Sequence, residues 1–256
     1  MKIAVSDFDG TLCRLVPNTT LGGEVPEKNL SAIRRWRAAG NKFGIASGRG
    51  LPLLEMAVRK HRVPVDFMIC SNGSTVFDGQ GKLLDSTVIP PDALRAFLEY
   101  PLVREEPRPF LLFGVRQVFS LRPYPDIPLE YSAPISWEDA ADRKDVVQLS
   151  IMFRDPGETQ SAMERIQKAF PMLRGNPNRV YLDLNLRQVN KRYGIERLVS
   201  AMGWDGNELL VIGDDKNDLP MIEYFHGFTV DTAQPFMKEA AVKVYDSVGR
   251  MLEDNL

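Results

Sequence analysis

The sequence predicts an α/β fold in which a Rossmann-like parallel sheet carries an inserted α+β segment. Three observations carry that expectation. From Lys2 to Gly73, short apolar runs alternate with amphipathic helical stretches, the rhythm of a parallel sheet with helices on its faces. From about Gly81 to Leu186 this gives way to strand-like runs between proline-rich loops, and from Gly194 the α/β alternation resumes. The 256 residues suffice for one large domain or two modest ones. The pattern divides them into 1–80, an inserted α+β cap over 81–187, and a returning 188–256.

The elements follow in order. Lys2 to Ser6 is a short apolar run and reads as a buried strand whose far end carries Asp7 and Asp9. Pro17 to Pro26 is rich in loop formers. Glu27 to Ala39 reads as a helix: Leu30, Ile33 and Trp36 recur at helical spacing, Pro26 precedes it and Gly40 ends it. Lys42 to Ala46 is a second strand, followed by Ser47-Gly48-Arg49-Gly50 and a helix over Leu51 to Lys60. Val65 to Cys70 is a third strand, ending at Ser71-Asn72-Gly73. In the insert, the strand-like runs are Phe110 to Val115, Gln117 to Leu121, Val146 to Phe153 and Val180 to Leu186. Helical stretches lie near Asp92 to Glu99 and Glu158 to Phe170. Pro101, Pro107, Pro109, Pro123, Pro125 and Pro128 mark loops. A helix over Gly194 to Met202 and a strand over Glu208 to Ile212 lead into Gly213-Asp214-Asp215-Lys216-Asn217-Asp218.

Composition excludes several roles. With 32 basic and 34 acidic residues the net charge is −2, so the basic excess of a nucleic-acid binder is absent. No run reaches the ~18 apolar residues of a membrane span. The start, Met1 to Asp9, lacks the apolar stretch of a signal peptide. The two cysteines, Cys13 and Cys70, read as reduced thiols, so the expected setting is the cytoplasm. His61 and His226 have no partner at ligand spacing.

The chemistry-bearing residues sit at strand ends, where open α/β sheets bind ligands. Ser6-Asp7-Phe8-Asp9-Gly10-Thr11 places two carboxylates after a buried strand, with a glycine for a sharp turn. It lacks the glycine and glutamate positions and the flanking helices of an EF-hand loop. Gly213 to Asp218 brings Asp214, Asp215 and Asp218 to the same sheet edge. Carboxylates 4 Å apart repel by about 4 kcal/mol at an effective dielectric near 20, so such a cluster calls for a cation. Magnesium suits hard oxygen donors. Ser47-Gly48, at a strand-to-helix junction, offers a hydroxyl and backbone N–H groups to an anion. Lys191 gains weight from its place between the insert and the second acidic motif.

Asp7-Phe8-Asp9-Gly10-Thr11-Leu12, Ala46-Ser47-Gly48-Arg49, Ser71-Asn72-Gly73, Lys191 and Gly213 to Asp218 stand in one order along the chain. In that order they resemble the haloacid dehalogenase (HAD) superfamily, within it the Cof-like, type IIB sugar-phosphatase branch. The resemblance covers nearly the whole chain. It implies a parallel-sheet core with a cap, and a magnesium-dependent phosphatase acting on small phosphate monoesters, sugar phosphates by default. Asp7 would be the nucleophile, forming an aspartyl-phosphate. Asp9 would be the general acid and base, with a pKa raised by neighbouring acids. Mg2+ would be held by the Asp7 carboxylate, the Asp9 carbonyl and Asp214, with Asp215 or Asp218 in or near the outer shell. The Phe8 N–H, Ser47, Gly48, Lys191 and Asn217 would hold phosphate oxygens. Cap residues would set specificity, with Arg116, Tyr181 and Asn185 as polar candidates, and Cys13 would lie near the cap hinge. One departure stands out: where the family often has Ser-Lys-Gly, this chain reads Asn190-Lys191-Arg192-Tyr193-Gly194. A phosphomutase on the same scaffold and a catalytically silent phosphate-binding module are the alternatives; the intact pair Asp7 and Asp9 speaks against the silent one.

Overall fold

The computed structural model describes residues 1–15, 23–105, 107–125, 127, 129–205 and 207–256. The expected loop from Pro17 to Pro26 lies mostly outside them, as does Pro128. The chain runs β1 (Lys2–Ser6), β2 (Arg14–Leu15), β3 (Gly23–Glu24), α1 (Glu27–Ala38), β4 (Lys42–Ala46), α2 (Leu51–His61), β5 (Phe67–Cys70), β6 (Thr75–Asp78) and β7 (Leu83–Ser86). It continues through α3 (Pro91–Leu98), α4 (Pro101–Arg104), β8 (Phe110–Gly114), β9 (Val118–Arg122), β10 (Ala133–Pro134), α5 (Trp137–Ala141), β11 (Val146–Met152), α6 (Pro156–Ala169), β12 (Leu173–Asn178) and β13 (Tyr181–Leu186). The last stretch is α7 (Lys191–Met202), β14 (Glu208–Gly213), α8 (Leu219–Tyr224), β15 (Phe228–Val230), α9 (Pro235–Ala240), β16 (Lys243–Tyr245) and α10 (Val248–Asp254).

The large sheet has eight strands in the order β16-β15-β14-β1-β4-β5-β6-β7. Every pair from β16 to β5 is parallel, and β6 and β7 add an antiparallel edge. Ile3, Ala4 and Val5 of β1 are fully buried, as expected of a parallel strand with helices on both faces. Helix α1 turns Leu30, Ala32, Ile33 and Trp36 to the core, and the Trp36 indole N–H donates to the Lys42 carbonyl at 2.8 Å, tying the helix to the start of β4. Because β14, β1, β4 and β5 are adjacent and parallel, the residues that follow them meet at one edge.

The second sheet has six strands in the order β10-β9-β8-β11-β13-β12. Its two faces differ. Leu112, Leu149, Ile151, Leu182, Leu184 and Leu173 face α3 and α6 in an apolar core. Ser150, Asp183 and Asn176 share the opposite face, since Ser150 pairs with Asp183 and Asn176 with Asp183. On β8 and β9 that same face is apolar: Leu111, Phe113 and Val118 cluster with Leu53 of α2. This face looks onto the edge of the large sheet. Gln148 donates to the Gly48 carbonyl at 3.1 Å, and a Cβ on Gly50 would lie 2.6 Å from Phe113. No helix among the described residues is long and apolar enough to cross a membrane.

The strands and helices expected from the sequence form within a few residues of their expected bounds. The edge strand β12 was not expected. Its sequence, Leu-Arg-Gly-Asn-Pro-Asn, is rich in loop formers, and an edge position tolerates the proline. The hairpin β6–β7 and the short β2–β3 ribbon also went unread. Gly73 shows how tightly the sheet edge meets α7. Its φ is +106°, and a Cβ there would lie 2.1 Å from the Asn190 carbonyl oxygen. Gly73→Ala is therefore expected to lower the unfolding free energy by about 2 kcal/mol or more. Chemical denaturation checks this as a lower midpoint at unchanged slope.

Candidate active site

Asp7 follows β1 directly, and its N–H donates to the Ile212 carbonyl of β14 at 2.9 Å. The chain then turns sharply: Cys13 N–H donates to Phe8 O at 2.8 Å, and Gly10 has φ +92°. A Cβ on Gly10 would sit 2.3 Å from Asp214 Oδ2, so only glycine lets this turn pass over the second acidic loop. Thr11 Oγ1 donates to Asp214 Oδ1 at 2.6 Å. In that loop Asp218 accepts the backbone N–H groups of Asp214 and Asp215 at 3.0 and 3.1 Å.

Lys191 completes the cluster. It is the first residue of α7, and Asn190 caps the helix by accepting the Tyr193 N–H at 2.9 Å. A serine at this place would cap in the same way, so the departure from Ser-Lys-Gly leaves the turn a working cap. The Lys191 side chain is 0 % exposed, and Nζ donates to Asp7 Oδ1 and Asp218 Oδ1, each at 2.5 Å. Burial opposes its charge, but Asp218 and Asp7 overcome that and hold the ammonium above its ordinary pKa.

Asp7, Asp214 and Asp218 bring carboxylate oxygens within 4.8 Å of one another. Burial pushes Asp7 well above the usual carboxylate range; Lys191 counters this, and Asp218 and Asp214 add to it. Asp214 is pushed up to about 7, by burial first and by Asp218 second. Three carboxylates thus face one ammonium, at a repulsion of about 4 kcal/mol per pair at 4 Å and an effective dielectric near 20. The donor set is all oxygen, partly buried and short of positive charge, which fits a hard divalent cation such as magnesium.

The other expected residues are placed as follows. Asp9 is not one of these three carboxylates: it accepts Arg49 Nε and Nη2 at 2.7 and 2.6 Å, a two-point pair. A guanidinium therefore faces this carboxylate, alongside the charge of Asp7. Asp215 turns its carboxylate to the Lys216 N–H at 2.8 Å. Ser47 is buried, and its Oγ accepts the Arg49 N–H at 3.2 Å. Helix α2 begins only at Leu51 with Gly50 as cap, so Ser47 and Gly48 sit before its N-terminus, not on it. The Phe8 ring is buried, with the Arg49 guanidinium 5.2 Å from its centroid. Asn217 donates to Asn72 Oδ1 at 3.1 Å. The free cysteines Cys13 and Cys70 are buried; burial pushes the Cys13 thiol up to about 11 and Cys70 higher still.

Sequence reasoning placed Asn72 in a motif at a strand end without giving it a role, and it missed Ser150 and Asp183. Asn72, with φ 56°, donates to Gln148 Oε1 at 3.0 Å and lies 3.5 Å from Asp183 Oδ2, so it joins both sheets. Its place at the end of a buried strand was the available signal. Asp183 accepts Ser150 Oγ at 2.6 Å, and the Tyr124 hydroxyl donates to Ser150 at 3.1 Å. Burial pushes Asp183 up to about 6, against the hydrogen bonds from Ser150 and Asn72. Of the expected cap candidates, Tyr181 lines the cleft between the sheets, a space of about 1660 Å³. Arg116 instead reaches the Gly81 carbonyl and the Phe77 ring, away from the cleft. Asn185 is fully buried, and its amide donates to Ser71 O and Ser74 Oγ, joining the two sheets beneath the cleft.

Residues 4–249 match the model of a family described as haloacid dehalogenase-like hydrolase. A Streptococcus pyogenes protein, named for phosphatase and peptidyl-prolyl cis-trans isomerase activities together, is 24 % identical over 94 % of this chain. The chain spans half the length of that relative. A Bacillus subtilis protein named as a 5-amino-6-(5-phospho-D-ribitylamino)uracil phosphatase is 21 % identical over 96 % of this chain and 90 % of its own. The solved structure of a HAD subclass IIB sugar phosphatase superposes with TM-score 0.81, at 20 % identity, over 100 % of this chain and 99 % of the other.

The raised carboxyls give a pH dependence with a definite sign. Asp7, Asp214 and Asp183 bind protons more tightly folded than unfolded, where their pKa is near 3.8. The folded chain therefore holds extra protons above that value. Without metal, the unfolding free energy should fall as pH rises from about 4 to about 7. Denaturant titrations in chelator check this, and a flat or rising profile would contradict the burial of these carboxyls. Asp183→Asn should remove the part of the fall that ends near pH 6. Added Mg2+ should raise stability most at the alkaline end, where the cluster is ionised.

Proposed function

Because the chain belongs to the haloacid dehalogenase-like hydrolases, we propose that it is a magnesium-dependent phosphatase of small phosphate monoesters, sugar phosphates by default. The observation that carries this reading is the Asp7 carboxylate. It is buried at the end of β1, held by Lys191 at 2.5 Å, and gathered with Asp214 and Asp218 at the floor of a large cleft. A buried carboxylate facing a cleft and flanked by a fixed cation is suited to attack on phosphorus. The named phosphatase relatives and the sugar-phosphatase neighbour agree with it.

In the first step an Asp7 oxygen attacks phosphorus, the ester P–O bond breaks, and Asp9 gives its proton to the leaving oxygen. In the second, Asp9 takes a proton from water as that water attacks phosphorus, and the Asp7 carboxylate leaves. For the first step Asp9 must be free of Arg49 and protonated. A substrate dianion competes for the same guanidinium fork and supplies that release. The Phe8 N–H, Ser47, Gly48, Lys191 and Asn217 hold the phosphoryl oxygens. The Asp7 carboxylate, the Asp9 carbonyl and Asp214, with Asp215 or Asp218 nearby, would hold Mg2+, which when bound neutralises charge on the phosphoryl group. Residues 81–187 act as the cap over a core of 1–80 and 188–256, excluding water from the cleft. A cytoplasmic setting goes with this reading.

The test is release of inorganic phosphate from a panel of small phosphate esters. Release should require Mg2+, stop with chelator, and fall by on the order of 10³ or more in Asp7→Asn. Rapid quench followed by mass spectrometry should find a phosphoryl adduct on Asp7. No release above the Asp7→Asn background on any ester would sink the phosphatase reading. Release only of traces, restored to phosphate exchange by a bisphosphate activator, would indicate a mutase.

A further inference from the structure

We propose that Arg174 is a specificity-determining residue that binds a second, distal anionic group on the leaving group, so that the preferred esters are phosphorylated acids or bisphosphates rather than neutral sugar phosphates. This rests on the phosphatase reading for the identity of the bond cleaved, but the binding it describes is separable from turnover.

The case begins with the register of the cap sheet. In β12, Leu173, Gly175 and Pro177 pair with Leu186, Leu184 and Leu182 on the apolar face. Arg174 and Asn176 pair with Asn185 and Asp183, which puts them on the face turned to the core. Arg174 lines the same cleft as Asp7, Asp214 and Asn217. The cleft, about 1660 Å³, exceeds the ~300–1,000 Å³ of ordinary ligand sites, so volume does not limit the leaving group and the lining must select it.

Three other arginines of the same segment are engaged by acids. Arg95 meets Asp142, Arg108 meets Glu158 and Arg143 meets Asp145, each within 3.0 Å. Arg174 has no hydrogen-bond or ion-pair partner among the described residues, although it is partly buried. Burial alone acts on its charge and lowers its pKa, with no carboxylate to offset that. The nearest acid along the sheet face, Asp183, is engaged by Ser150 and Asn72 and does not serve it. A guanidinium partly stripped of water, without an acid, beside a ligand cleft is complementary to an incoming carboxylate or phosphate, which its fork can bind at two points.

Beside Arg174, the polar face of the cap sheet that lines the cleft carries uncharged and acceptor groups. Gln148, Asp183 and Asn176 stand along the face that leads from Asn72 to Arg174. These groups suit a hydroxylated linker, with the ester phosphate at Asp7 and the second anion at Arg174. Arg179, exposed at the β12–β13 turn at the other end of the strand, also lines the cleft.

The experiment measures both binding and turnover with matched probes: 6-phosphogluconate against glucose 6-phosphate for a distal carboxylate, and fructose 1,6-bisphosphate against fructose 6-phosphate for a distal phosphate. Calorimetric titration of the Asp7→Asn protein in Mg2+ gives affinities without hydrolysis. At least one acidic probe should bind about tenfold or more tightly than its neutral partner. That ratio should fall to about one in Asp7→Asn/Arg174→Met and be partly kept in Asp7→Asn/Arg174→Lys. Which pair shows the ratio identifies the anion as carboxylate or phosphate. In the Asp7-intact protein, Arg174→Met should raise KM for the acidic ester with little change in kcat, whereas misfolding would lower both activities together. A ratio near one with Arg174 present, or one that survives Arg174→Met, would overturn the proposal even if phosphate release is robust. A ratio that behaves as expected without phosphate release would leave it standing and overturn the hydrolytic reading instead.

Discussion

The ammonium of Lys191 lies fully buried between Asp7 and Asp218, 2.5 Å from an oxygen of each, and the rest of the site is arranged around that charge balance. Taking one partner from a buried ion pair costs about 3–5 kcal/mol, so none of these three positions is free to vary alone. The sheet supplies the juxtaposition. Asp7 follows β1, Asp214 and Asp218 follow β14, and these strands are parallel neighbours. Lys191 arrives from across the sheet edge at the start of α7, held by the Asn190 cap and by the close approach of Gly194 to Gly73. Gly213 has no side chain for the same reason: a Cβ there would lie 2.4 Å from Asp218 Cγ. Even so, one ammonium stands among three acids, an excess of carboxylates that suits a hard divalent cation.

The cap answers this floor with a divided face. Leu111, Phe113 and Val118 seat against Leu53 and fix the cap by apolar contact. Gln148, Ser150, Asp183, Asn176 and Arg174, on the neighbouring strands of the same face, remain polar. An apolar half that docks and a polar half that lines the cleft need no separate hinge element to orient one against the other, because both hang on one hydrogen-bonded sheet.

Much of this was legible in the sequence because it is local. Buried strands betray themselves as short apolar runs, and the polar residues at their ends, Asp7, Ser47, Asn72 and Asp214, fall where an α/β sheet must present them. The ordered motifs also assigned Lys191 to the site, although its burial between two carboxylates depends on residues 184 and 27 positions away. What stayed hidden depends on pairing at long separation. Asp9 meets Arg49 from 40 positions away, and Asn72 meets Asp183 from 111. Strand β12 was unreadable for another reason. An edge strand bonded on one side tolerates glycine and proline, so its composition is that of a loop, and Arg174 is placed only once Asn185 is opposite it.

Asn72 is where the two halves become one system. Its Oδ1 accepts Asn217 from the acidic loop, while its amide donates toward Gln148 of the cap, with Asp183 and Asn185 close by. If Asn217 turns to hold a phosphoryl oxygen, Asn72 loses that donor and its Oδ1 must find another. A buried amide oxygen left unpaired costs about 1–3 kcal/mol, so filling the phosphate site is felt at the cap through a single side chain. On the proposed reading the coupling would run both ways: a leaving group that engages Gln148 and Asp183 would also fix Asn72, and with it the position of Asn217. Selection of the leaving group and assembly of the proposed phosphoryl site would then be a single equilibrium, with Asn72 as its shared term.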